Sequence, residues 1–165
     1  MPSSASAMIT LVDGPSGAGK SDYGVWLAAE RGAVLVSLDD VYPGWDGLDA
    51  GSWHIHRNVL LPISQGLPGR YQRWDWRLGV PADWVEVSAR RPVVVEGCGA
   101  IRSEGLAIRA DRVWVDAAAD VRKRRALERD GELYAPHWQR WALQEERFLA
   151  LHDGRGNADL TVTTG

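Results

Sequence analysis

A chain of 165 residues, 45% hydrophobic and 25% charged, has the size of one domain and the composition of a soluble globular protein. Its net charge of −3 argues against a general nucleic-acid binder, and its single cysteine, Cys98, excludes an intrachain disulfide. The first seven residues are small and polar with no basic start to a leader, and no apolar run approaches the ~18 residues of a membrane span. The expectation is therefore a cytoplasmic protein with a small-molecule substrate and neither a nucleic-acid nor a membrane partner; the sequence is silent on its oligomeric state.

Ile9–Val12 is a short apolar run of β type. It leads into Gly14-Pro15-Ser16-Gly17-Ala18-Gly19-Lys20-Ser21, which matches the phosphate-binding loop G-x-x-x-x-G-K-[ST] at every fixed position. Gly14 and Gly19 let the backbone curl so that successive N–H groups face one anion. Lys20 reaches the outer phosphates of a nucleoside triphosphate, and the Ser21 hydroxyl is a ligand for Mg²⁺. Ser21–Arg31 reads as a helix, with Tyr23, Trp26, Leu27 and Glu30 at helical spacing, so the positive end of its dipole lies under the same anion.

A second strand, Ala33–Leu38, runs into Asp39 and Asp40. Ligands of open α/β sheets bind beyond the carboxyl ends of strands, so Asp39 is placed to take a proton from an acceptor hydroxyl. His54 and His56 form an isolated H-x-H without a third ligand, a poor metal site. Arg70–Trp76 and Asp83–Val87 read as a hairpin, with Trp74 and Trp76 on one face of its first strand. Their rings serve either core packing or stacking on a planar ligand. Pro92–Val95 is a third apolar run, and Glu96 at its end stands where a carboxylate orients Mg²⁺-bound water or substrate.

Arg112–Val115 is a further strand, followed by a helix over Ala119–Asp130. Arg122, Arg125 and Arg129 share one face of that helix, fit to close over a transferring phosphoryl group, while Lys123 points to solvent. Pro136 opens another helix running to about Leu151, and Asp159–Val162 is the last strand. The alternation of strands and helices predicts an α/β domain with a mainly parallel sheet over residues 1–165, without repeat or linker.

These residues resemble, in the same order along most of the chain, the uridine kinase-like nucleoside kinases among the P-loop kinases. Asp13 to Ser21 is similar to that family's loop almost letter for letter. Ser37 to Tyr42 resembles the segment of its general base, with Asp39 at the base and Tyr42 at its tyrosine. Trp45-Asp46 resembles the step whose acid holds the ribose hydroxyls, and Trp74-Asp75-Trp76 the hairpin segment over the base. Arg122, Arg125 and Arg129 align with lid arginines, whereas Ala126 replaces another. Arg77 stands where the family has a histidine-containing stretch.

The resemblance implies a three-layer P-loop kinase sandwich with an inserted substrate-covering hairpin (about 70–90) and a helical arginine lid (about 119–136). It implies transfer from ATP with Mg²⁺ to a hydroxyl of a small metabolite, a nucleoside foremost. Gly14 to Ser21 and Arg129 would hold ATP. Lys20, Asp39, Arg122 and Arg125 would act on the transferred group, and Ser21 and Glu96 on the metal. Asp39, Tyr42, Asp46, Trp74, Trp76, Arg77 and Glu96 would meet the acceptor. A different small acceptor, such as a sugar acid, vitamin precursor or nucleotide, and a regulatory ATPase remain open alternatives.

Overall fold

Ile9–Asp13 (β1) is buried along its whole length, the mark of a strand covered on both faces. In the computed structural model, which describes residues 8–165, it is the centre of a five-stranded parallel sheet. The absence of a leader, inferred from residues 1–7, lies outside the described residues. The other strands are Val34–Ser37 (β2), Val93–Glu96 (β5), Asp111–Asp116 (β6) and Leu160–Thr163 (β7), in the spatial order β2-β5-β1-β6-β7. An antiparallel pair, Gly69–Asp75 (β3) and Val80–Val87 (β4), stands apart as the inserted hairpin. Parallel pairing in register, Leu11 with Val95 and Val12 with Val113, brings the ends of β1, β5 and β6 to one edge. The chain leaves β1 toward β2 and later crosses from β5 to β6, so the direction of winding changes at β1, where α/β sheets open a crevice.

One face of the sheet is covered by Lys20–Arg31 (α1). Leu27 and Ala28 pack on Val12, Val94, Val113 and Val115. Gly32, at φ 60°, ends the helix, its N–H returning to the carbonyls of Ala28 and Ala29. The other face carries Leu48–Ile55 (α2), Leu61–Ser64 (α3) and Trp138–His152 (α5). Their Leu48, Ile55, Ile63, Trp141 and Phe148 close a second core with Ile9, Leu11, Val93 and Val95. Between α2 and α3 lies one π-helical turn, His56–Leu60, with Leu61 N–H reaching the His56 carbonyl. It precedes Pro62, which has no N–H to continue the ordinary ladder. The α2–α3 segment is an element that the strand-by-strand reading did not name.

The hairpin is docked by buried Tyr71 and Val87 and by His54, whose Nε2 accepts Gln72 N–H at 3.0 Å. Ala119–Asp130 (α4) keeps the bounds expected of it. Gly131, at φ 54°, stops it, and two 3₁₀ turns, Gly131–Leu133 and Ala135–His137, lead into α5. Pro136 sits in the second of these turns, just ahead of α5. Among the described residues, no helix is long and apolar enough to cross a membrane.

Candidate functional site

The loop between β1 and α1 is built for an anion. Gly14, Gly17 and Gly19 have φ of 147°, 79° and 101°. A Cβ at Gly14 would lie 2.0 Å from the Val115 carbonyl oxygen, and one at Gly17 would lie 2.0 Å from that of Arg122. Glycine is therefore required by conformation and by contact. Among the described residues, the amides of Gly17, Gly19, Lys20 and Ser21 have no protein acceptor, and they gather at the N-terminus of α1. Lys20 folds back to donate from Nζ to the Pro15 carbonyl at 2.9 Å. Burial opposes its charge, but Cys98 and the carboxylates of Glu145, Glu96 and Asp39 together outweigh this and raise its pKa.

Beneath the loop, Asp13 is wholly buried and accepts three backbone N–H groups: Gly14 at 2.7 Å, Gly99 at 3.1 Å and Ile101 at 2.9 Å. Burial raises its pKa to about 6 against those hydrogen bonds. Cys98 is buried, donating from Sγ to the Gly14 carbonyl at 3.3 Å, and burial pushes its thiol well up. That is a packing residue, not a reactive thiol.

Facing the loop is a cleft of ≈410 Å³, in the size range of small-molecule sites. Ser16 and Ser21 border it from the loop, Asp39 and Asp40 from the end of β2, and Arg129 and Asp130 from the end of α4. Its remaining wall is aromatic apart from Leu133. Trp45 lies at the centre, its ring centroid 5.0 Å from Trp76, 5.2 Å from Tyr134 and 6.4 Å from Trp141; its far side stacks on His137 at 4.5 Å. Trp76 also donates from Nε1 to the Asp39 backbone carbonyl at 2.8 Å, tying the hairpin to the acid-bearing turn. Burial, joined by the charge of Asp39, raises the pKa of Asp40, while Arg73 opposes the rise.

Glu96 is buried, 3% exposed, and does not itself border the cleft; it accepts from Ser37 Oγ and from Ser21 Oγ, the latter at 3.5 Å. Burial raises its pKa despite these bonds. The hydroxyl of Ser21 and the carboxylate of Glu96 are hard oxygen donors and fit Mg²⁺. Among the described residues, no three His, Cys, Asp or Glu side chains gather to hold a metal alone, and Mg²⁺ ordinarily completes its shell with phosphate oxygens and water.

Several expected contacts are redrawn. The Tyr42 ring reaches the cleft, but its hydroxyl donates to the Cys98 carbonyl at 2.7 Å and is not offered to a ligand. Asp46 is exposed and held by Arg140, whose Nε reaches its Oδ1 at 2.6 Å; that arginine takes the carboxylate assigned to a diol. Trp74 and Trp76 do not share a strand face: β3 ends at Asp75 and Trp76 lies in the turn that follows; of the two, only Trp76 reaches the cleft. Arg77 is exposed in the hairpin turn, its N–H on Asp75 Oδ1 at 2.9 Å.

The three arginines of α4 diverge. Arg122 turns behind the loop, donating from Nε to the Ala117 carbonyl at 3.1 Å. Arg125 reaches the Gly17 carbonyl at 3.4 Å and Thr164 Oγ1 at 2.8 Å. Arg129 alone borders the cleft, paired with Asp130. Lys123 is exposed, as its position on the helix required. Trp45, Asp130, Tyr134 and Trp141 were not foreseen as cleft residues. The excess of tryptophan, nine in the chain against one phenylalanine, was the signal that an aromatic wall exists, without saying where.

No protein-family model matches the chain. Over 113 residues it is 33% identical to a tRNA dimethylallyltransferase of Streptomyces griseus subsp. griseus, a stretch covering 59% of this chain and 33% of that protein. The chain thus matches about a third of the length of this curated relative. Its fold superposes on the structure of a possible uridine kinase from Bacillus stearothermophilus with a TM-score of 0.62, at 13% identity, over 96% of this chain and 89% of that one. A candidate fructose transport system kinase from Silicibacter sp. TM1040 superposes with a TM-score of 0.54, at 18% identity, over 98% and 92% of the two chains. At such identities the likeness is one of fold: the chain has the parallel-sheet architecture of the P-loop kinases, as expected from its sequence.

Proposed function

We propose that the chain is an ATP- and Mg²⁺-dependent kinase that phosphorylates a hydroxyl of a small acceptor, a nucleoside foremost. One observation carries this reading: two carboxylates, Asp39 and Asp40, border the same ≈410 Å³ cleft as Ser16 and Ser21 of the phosphate loop, under an aromatic wall. In the proposed reaction Asp39 accepts the acceptor's hydroxyl proton. The freed oxygen bonds to the γ-phosphorus as the bond to ADP breaks. Lys20 and Arg129 balance charge on the transferred group. Ser21 and Glu96 would hold Mg²⁺, which neutralises phosphate charge when bound. Trp45 and Trp76 offer faces to a planar ring.

The curated relative's name raises a second reading, group transfer to tRNA. A net charge of −3 and an acid-lined cleft with a single arginine at its border disfavour a polyanionic acceptor. The test is ATP turnover alone and with a panel of ribonucleosides, sugar acids and sugar alcohols. Stimulation by a ribonucleoside is expected. Stimulation only by a non-aromatic compound would remove the nucleoside and keep the kinase, and turnover indifferent to every acceptor would remove the kinase.

A further inference from the structure

The phosphate loop is gripped from behind by a side chain on α5. Glu145 accepts the Ser16 N–H through Oε1 at 2.8 Å and Oε2 at 3.3 Å. Ser16 borders the acceptor cleft, whereas Glu145 borders a second cavity of ≈570 Å³, together with Gly14 and Pro15. The carboxylate therefore holds the loop without bordering the cleft and does not occupy the four open amides. The neighbouring residue does the same for the opposite wall. Gln144 donates from Nε2 to the Trp45 carbonyl at 2.6 Å and accepts Leu48 N–H on Oε1 at 3.3 Å. Two consecutive residues of one helix thus fix the donor loop and the aromatic segment 45–48 to a single rigid element.

We propose that Glu145 is a positioning residue: its hydrogen bond to Ser16 sets the curl of the phosphate loop and, with Gln144, the spacing of the two cleft walls. The proposal rests on the reading of the loop as an ATP site. What the loop uses is the reach of Glu145, not its charge. A negative group beside an anion site opposes phosphate, while a buried N–H deprived of its acceptor is costly to leave unmade.

Reach and charge are separable. Glu145→Gln keeps an oxygen within reach of the Ser16 amide and removes the charge. Glu145→Asp keeps the charge and withdraws the oxygens by one methylene. Calorimetric titration of the full chain with Mg·ATP should give Glu145→Gln an affinity equal to or tighter than the unsubstituted protein. Glu145→Asp should bind about tenfold or more weakly, because the Ser16 amide loses its acceptor. A weakened Glu145→Gln or an unchanged Glu145→Asp overturns the proposal.

The Ser16 amide resonance supplies a second measurement that needs neither ATP nor the Asp variant. It should lie downfield in the unsubstituted and Glu145→Gln proteins and move upfield in Glu145→Ala, which has no acceptor for it. A Ser16 amide that does not move in Glu145→Ala also overturns the proposal. If the unsubstituted chain binds no Mg·ATP, the ATP-site reading fails, and the amide signature still decides whether Glu145 holds the loop.

Discussion

The two walls of the cleft are made of different material. The donor wall is backbone: eight consecutive residues curled by three glycines of positive φ, with open amides and a lysine folded onto its own loop. The acceptor wall is side chain: Trp45, Trp76, Tyr134 and Trp141 arrive from four segments and meet ring against ring. Backbone amides grip any phosphate and discriminate little, because every residue has one. Side chains select by shape and are free to vary. In the proposed reaction, the donor wall would set the class of chemistry and the acceptor wall the compound. Between them stand Asp39 and Asp40, on a 3₁₀ turn that belongs to neither.

The largest expected effect lies at that junction. Asp39→Asn retains size and removes basicity, so kcat should fall about 10²–10⁴-fold while ATP affinity is nearly unchanged. Asp40→Asn should cost far less. Both carboxylates border the cleft, so the pair is a real choice. Stopped-flow or coupled assays on the two single variants decide it, and a crippled Asp40→Asn beside a mild Asp39→Asn would transfer the role of base to Asp40.

A smaller loss is expected from the donor wall. Lys20→Met keeps most of the buried stem and removes the charge, and should lower kcat about a hundredfold. Loss of the ammonium also leaves Glu145, Glu96 and Asp39 without the cation among them, so the melting temperature should drop. Near-normal turnover in a folded Lys20→Met protein would mean that the amides alone carry the phosphate, and that the donor wall is more purely backbone than drawn here.

The contrast also explains what was legible in the sequence. The loop, α1 and the strand before them are consecutive, and each requirement is local: glycine where φ is positive, lysine as the first residue of the helix. Asp39 and Glu96 were singled out for the same reason, as acids at the ends of apolar runs. The aromatic wall depends on contacts that spacing does not encode. Gln144 meets the Trp45 carbonyl across 99 residues, and Glu145 meets Ser16 across 129. Asp46 was lost to Arg140 across a similar gap, and no local pattern names that partner. Trp74 was grouped with Trp76 by strict alternation, but β3 ends at Asp75 and Trp76 belongs to the turn that follows. The α2–α3 segment went unnamed because Gly51 and Pro62 interrupt its helical pattern, Pro62 at the place that the π turn accommodates.

The mildest prediction tests the acceptor wall itself. Trp76 contributes a ring against Trp45 and an Nε1–H to the Asp39 carbonyl, whereas Trp74, two residues away, does not reach the cleft. An aromatic pair and a neutral hydrogen bond are each worth about 1 kcal/mol. Trp76→Ala should therefore raise the acceptor KM about five- to thirtyfold with the ATP KM unchanged. Trp76→Phe keeps a ring and loses the N–H, so it should recover roughly half of that effect in free energy. Trp74→Ala should leave both KM values alone and register only as a modest loss of thermal stability. These expectations separate a ring that binds from a ring that packs. If Trp74→Ala and Trp76→Ala raise the acceptor KM alike, the hairpin acts as a whole, through its docking on His54, and the aromatic wall selects nothing residue by residue.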